Sequence, residues 1–221
     1  MKYVYTNNIS PVVGFISQAI TSRLGRGESV LWIISGGSAI LTEAAVASHL
    51  AGLDLTNLSV TLADERFGPM GHPNENWQQL LDAGFMLPGA SLYRPLIGAN
   101  RTIATTAFDA WLGEHLRSAD YSIGLFGIGA DGHTAGIKPA TDAVTVTTGW
   151  ATDFDGDDFE RITMTFQAIM RLNEVVIQAM GADKADTLEQ LITQDISPLI
   201  QPAQVLKSVS QCTLFTDYKE V

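Results

Sequence analysis

The chain has 221 residues, 46% hydrophobic and 17% charged, a balance that suits a globular protein with room for one large domain or two small ones. Its formal net charge is −11 and its 13 lysines and arginines are scattered, which argues against a nucleic-acid or anionic-membrane partner. A single cysteine, Cys212, excludes an internal disulfide and a Cys-rich metal site. No apolar run reaches the ~20 residues of a bilayer span. The start, MKYVYTNNISP, lacks the pattern of a secretory leader, so the expectation is a cytoplasmic protein.

In chain order, residues 29–35 (SVLWIIS) form an unbroken apolar run and predict a buried strand. A Gly–Gly turn follows, then apolar residues at helical spacing over 38–50. Residues 58–63 predict the next strand, and a helix is expected around 74–84. Over 102–117, Ile103, Ala107, Trp111 and Leu112 share one helical face, which Leu116 continues. Residues 121–127, 161–166, 174–180 and 212–216 predict further strands, with a helix at about 182–193 between the last two. The stretch TDFDGDDFE at 152–160 reads as an acidic loop.

Strands without polar alternation are buried on both faces, and their repetition with helices implies βαβ units in a mostly parallel sheet. The expectation is one α/β domain over residues 1–221. In such sheets ligands sit beyond the carboxyl ends of the strands. Three predicted strands end there in loops rich in chemistry.

The first loop is SGGS. The backbone of Gly36 and Gly37 can approach an anion closely, Ser35 and Ser38 can add hydroxyl donors, and a helix N-terminus adds positive potential. The plain alternative is a tight turn with Ser38 as a helix cap. The second loop carries Asp64, Glu65 and Arg66, with Asn76 near the next helix start. Alone, these read as a solvated charged loop and a cap. The third, GIGADGHTAG at 127–136, places Asp131 two residues before His133. There the carboxylate can orient the imidazole, whose pKa suits a general base. Arg161 opens a strand. Lys184 lies in a first helical turn, where a lysine is unfavourable unless an anion is present. Each is otherwise a plain surface charge.

Together these residues resemble the 6-phosphogluconolactonase family and its wider relatives, the glucosamine-6-phosphate deaminase/isomerases. SGGS, DER and above all GIGADGHTA carry the resemblance, with RIT and Gly-x-x-Lys following in order. It covers about residues 30 to 216. The resemblance implies a three-layer α/β/α sandwich around a mostly parallel sheet, glucosamine-6-phosphate deaminase-like, and no metal or other cofactor. The implied partner is a small phosphorylated sugar lactone. Hydrolysis of 6-phospho-D-glucono-1,5-lactone would give 6-phosphogluconate, in the oxidative pentose phosphate pathway. By the same match Ser35, Gly36, Gly37, Ser38, Arg161 and Lys184 hold the phosphate, His133 is the general base and Asp131 orients it. Asn76 joins the binding set, and Arg66 contacts lactone oxygens.

Two other readings stay open. In a deaminase or isomerase of an amino-sugar phosphate, Asp64 would be the C2 proton base. Those relatives carry a glutamate five residues after the signature histidine, and here that position is Lys138; they tend also to have tyrosine where this chain has Arg66. A sugar-phosphate sensor without turnover is the third reading. Lys138 also departs from the lactonases, which place an apolar residue there, so the sugar could differ. The oligomeric state is not encoded in any of these motifs.

Overall fold

The computed structural model describes residues 1–219. The chain begins with β1 (Lys2–Tyr5), α1 (Ser10–Leu24), β2 (Val30–Ile34), α2 (Ile40–His49), β3 (Leu58–Leu62) and β4 (Asp64–Arg66). It continues through α3 (Asn76–Asp82), β5 (Ser91–Tyr93), α4 (Arg101–Ser118), β6 (Tyr121–Phe126), β7 (Ala151–Asp155) and β8 (Glu160–Met164). The last elements are α5 (Phe166–Met170), β9 (Glu174–Ala179), α6 (Ala185–Thr193) and β10 (Gln211–Thr216).

Seven strands form one parallel sheet in the order β1-β10-β9-β6-β2-β3-β5. All of β2, β6 and β9 is buried, as the unbroken apolar run of β2 and the mostly apolar runs of β6 and β9 require. Successive side chains point to opposite faces of a strand. Val30, Trp32 and Ile34 of β2 therefore join a core with α1, α2 and α3. Leu31 and Ile33 join a second core with α4, α5 and α6. That is a three-layer sandwich with helices on both faces. No helix among the described residues is long and apolar enough to cross a membrane.

Three local expectations need correction. On α4 the buried residues are Ala104, Phe108, Leu112 and Leu116, while Ile103 is exposed, so the inward face sits about one residue further along than Ile103–Ala107–Trp111 suggested. The run from Arg161 does not continue to Phe166: Thr165 turns the chain and its hydroxyl accepts the Ala168 amide, capping α5. The acidic stretch 152–160 is not a loop. Most of it is the β7–β8 hairpin, which pairs with β4 as a small antiparallel sheet in the order β4-β8-β7. Arg101 ties the hairpin back to α4 through Asp153, Asp155 and Glu160.

The order of the strands decides where a ligand can sit. From β2 the chain steps outward to β3 and β5, then returns to the other side of β2 as β6 and steps outward to β9 and β10. The direction of winding reverses between β2 and β6. A crevice opens at such a point because the loops leaving the two strands diverge. Those loops are SGGS and GIGADGHTAG.

Candidate functional site

A cleft of about 550 Å³ opens at this switch point. It is lined from separate segments by Ser35 to Ser38, Asp64, Arg66, Asn76, the 127–135 loop, Lys138, Asp158, Arg161, Asp183 and Lys184. The fold thus brings together every residue singled out from the sequence. Four cations, Arg66, Lys138, Arg161 and Lys184, face four carboxylates, Asp64, Asp131, Asp158 and Asp183.

The β2 turn is shaped by close packing. A Cβ on Gly36 would lie 2.1 Å from Asn76 Oδ1, so only glycine admits that side chain. Asn76 is the first residue of α3, and Glu75 stands at the cap position. The Asn76 amide group donates to the Asp64 carbonyl at 3.1 Å, which ties α3 to β4. Ser35 is committed elsewhere: its hydroxyl donates to the Leu125 carbonyl at 2.6 Å and its N–H to Glu43 at 2.5 Å. Both Ser35 donors therefore brace the turn. The free donors here are those of Gly36, Gly37 and Ser38, whose N–H groups have no hydrogen-bond partner among the described residues.

Glu43 and Glu65 went unassigned in the sequence because only the tertiary packing gives them work. Glu65 is fully buried, and accepts the amides of Arg66, Asn76 and Trp77 at 2.7, 2.7 and 3.0 Å. It caps α3 from outside the helix. Burial pushes its carboxyl up to about 8 against the pull of those donors. Glu43 is also fully buried, and its Oε2 has no partner. Desolvation raises its pKa well above the ordinary value, and nearby Asp64 adds to the rise. A raised folded-state pKa contributes stability that is fully present below the unfolded value and is lost as pH rises through the folded one. Glu43→Gln keeps an acceptor for Ser35 and cannot ionise. Its melting temperature is expected to gain on wild type steadily from about pH 5 to pH 8, and parallel curves would contradict this.

On the loop after β6, Nδ1 of His133 lies 2.6 Å from Asp131 Oδ1, which also accepts the His133 amide at 3.1 Å. Burial works against ionising Asp131, but the backbone amide and ring of His133 hold its carboxyl below the usual range. An ionised carboxylate can only accept, so Nδ1 carries a proton, and in the neutral imidazole the lone pair falls on Nε2. No hydrogen bond engages Nε2 among the described residues. The ring rests against Gly129, where a Cβ would sit 2.1 Å from Nδ1 and 2.5 Å from Asp131 Oδ1. Gly129→Ala is expected to displace the imidazole and lower turnover roughly 10²-fold, the scale of a misplacement near 1 Å. Comparing kcat with the melting curve checks this, since only the loop should be disturbed.

The loop is braced from behind. Thr187 of α6 donates to the Ala130 carbonyl at 2.6 Å, and the Gly132 carbonyl accepts the Ala203 amide at 2.9 Å. Lys184 immediately precedes α6; its N–H donates to the Gly181 carbonyl at 3.1 Å, and its ammonium makes no ion pair or hydrogen bond among the described residues.

Arg161 is 8% exposed and sits across from Arg66 in the β4–β8 register. It reaches Asp64 at 3.4 Å and Asp158 at 2.9 Å. Arg66 donates to the Asn74 carbonyl at 3.1 Å. The Nε–H of each arginine has no partner. Asp64 is buried, which raises its pKa, while Arg161 and then Arg66 and His133 draw it down. Asp158, at the hairpin tip, also accepts from Lys138 at 3.1 Å. Desolvation opposes its ionisation, but bonds from Lys138 and Arg161 hold it well below the usual range. Its neighbourhood read as a plain acidic loop; only the hairpin carries Asp158 back to Arg161.

This is a three-layer α/β protein with an anion-ready cleft at its topological switch point. The family model described as glucosamine-6-phosphate isomerases/6-phosphogluconolactonase matches residues 7–215, and the chain belongs to that family. A probable chloroplastic 6-phosphogluconolactonase of Oryza sativa subsp. indica is 26% identical over 207 residues, covering 84% of this chain and 64% of that protein. The chain thus spans less than two thirds of that relative's length. A 6-phosphogluconolactonase of Rhizobium meliloti is 30% identical over 168 residues, 71% of each chain. The fold is shared with a 6-phosphogluconolactonase crystal structure from Shewanella baltica OS155 at a TM-score of 0.80 and 18% identity, covering 98% of this chain and 97% of that one.

Proposed function

We propose that the chain is a 6-phosphogluconolactonase, a carboxylic ester hydrolase acting in the oxidative pentose phosphate pathway as a single domain over residues 1–221. Its substrate is 6-phospho-D-glucono-1,5-lactone and its product 6-phosphogluconate. The observation that carries this reading is one cleft that holds both an oriented imidazole and a cluster of cations beside a glycine turn. The imidazole is oriented by a carboxylate and has a free Nε2, and Arg161, Lys184 and the glycine turn line the same cleft. The names of the relatives support the same reaction.

In this reading the phosphate dianion is held by Arg161, Lys184 and the N–H groups of Gly37 and Ser38. Nε2 of His133 takes a proton from water as its oxygen attacks C1 of the lactone. Asp131 stabilises the imidazolium that forms. Arg66 lies on the same cleft and donates to the oxyanion on C1. The tetrahedral intermediate collapses by breaking the bond from C1 to the ring oxygen, which leaves as the C5 hydroxyl with the proton from His133. Asp64 needs no proton-transfer role: it fixes Arg161. Ser35 and Asn76 shape the turn.

The test is proton release from freshly generated lactone, corrected for spontaneous hydrolysis, alongside ammonia release from glucosamine 6-phosphate. Accelerated lactone hydrolysis with no ammonia is expected. Ammonia release without lactone hydrolysis would make the chain a deaminase, and binding without either reaction would make it a sensor.

A further inference from the structure

We propose that Asp158 is an internal competitor for the substrate's phosphate, and that it sets the affinity of the cleft for anions. The inference rests on the phosphate-binding reading of Arg161 and adds a residue to it. Asp158 places one carboxylate oxygen 2.9 Å from Arg161 and the other 3.1 Å from Lys138. That is the geometry in which two phosphate oxygens would engage the same pair of cations. All three residues line the cleft.

The carboxylate is not needed to position the guanidinium. Asp64, buried on the adjacent strand, holds Arg161 independently at 3.4 Å. Phe159 adds a ring face 5.8 Å from the guanidinium carbon. Asp158 is the removable member of the set. Its side chain is 43% exposed at the tip of the hairpin, whereas those of Asp64 and Arg161 are 8% and 9% exposed. An incoming dianion must displace Asp158 from Arg161 and Lys138 or bind beside its charge. Either route costs binding free energy that a neutral side chain would not impose.

The test is calorimetric titration of the full chain with inorganic phosphate at pH 7 and low salt, for wild type, Asp158→Asn and Asp158→Ser. Melting curves confirm folding of each. Both variants are expected to bind phosphate about fivefold more tightly, the scale of one partly exposed ion pair. The gain should shrink as salt is raised, since screening weakens the repulsion removed. Unchanged or weaker binding in both variants overturns the inference and assigns Asp158 to positioning Arg161. If wild type itself binds no phosphate, the phosphate-binding reading of the cleft falls, and this inference with it. Phosphate binding that tightens in the variants, in a chain that hydrolyses no lactone, leaves this inference standing and removes only the hydrolase reading.

Discussion

His133→Ala is expected to lower turnover of the phosphorylated lactone by at least about 10²-fold, with KM changed little. The residue supplies a ring nitrogen, Nε2, that has no hydrogen-bond partner among the described residues, and its removal takes away none of the proposed phosphate ligands. The side chain is 38% exposed and its loop is braced through backbone atoms of Ala130 and Gly132, so the fold should survive. Asp131→Asn is expected to lose less, because the ring still has an acceptor at Oδ1 yet forfeits the charge that stabilises imidazolium. Steady-state kinetics on both variants read this directly. Wild-type turnover in His133→Ala would remove His133 from the chemistry.

Arg161→Ala is expected to raise KM by roughly 10²-fold, the scale of losing charge-assisted hydrogen bonds to a dianion. Two effects combine. The donor is lost, and Asp64 and Asp158 each lose their arginine partner, with Lys138 remaining on Asp158. Because Asp64 is buried, its loss of a partner should also lower stability. Arg161→Lys keeps the charge without the planar fork, and it should fall between wild type and alanine in KM. Equal KM in all three would show that the phosphate is held elsewhere.

The parts of the fold visible in the sequence are those dictated by burial on both faces. β2 is an apolar run and β6, β9 and β10 are mostly apolar because helices cover each side of the sheet, and such runs stand out. The edge strands β1 and β5 are four and three residues long with no fully buried residue, too short to signal themselves. The β4–β8–β7 sheet escaped because its pairing joins residues about a hundred positions apart, such as Arg66 and Arg161.

The site divides along the same line. Glycines at 36 and 129 mark close approach, and a chain shows such positions by leaving out a side chain. The Asp131–His133 pair is local, so its geometry follows from spacing. Ser35 carried an expected phosphate role that its hydrogen bonds to Leu125 and Glu43 redirect inward. Glu43 and Glu65 act from full burial, and Asp158 reaches Arg161 and Lys138 only because residues 152–160 form a hairpin, so no pattern of residue types announces them.

Whether one cleft grips both ends of the ligand is tested most directly by a crystal structure of the chain with 6-phosphogluconate bound. The phosphate should lie on Arg161, Lys184 and the Gly37–Ser38 amides, with the C1 carboxylate facing Nε2 of His133. A product bound with its phosphate away from those cations, or with C1 turned from the imidazole, would contradict the proposed reaction.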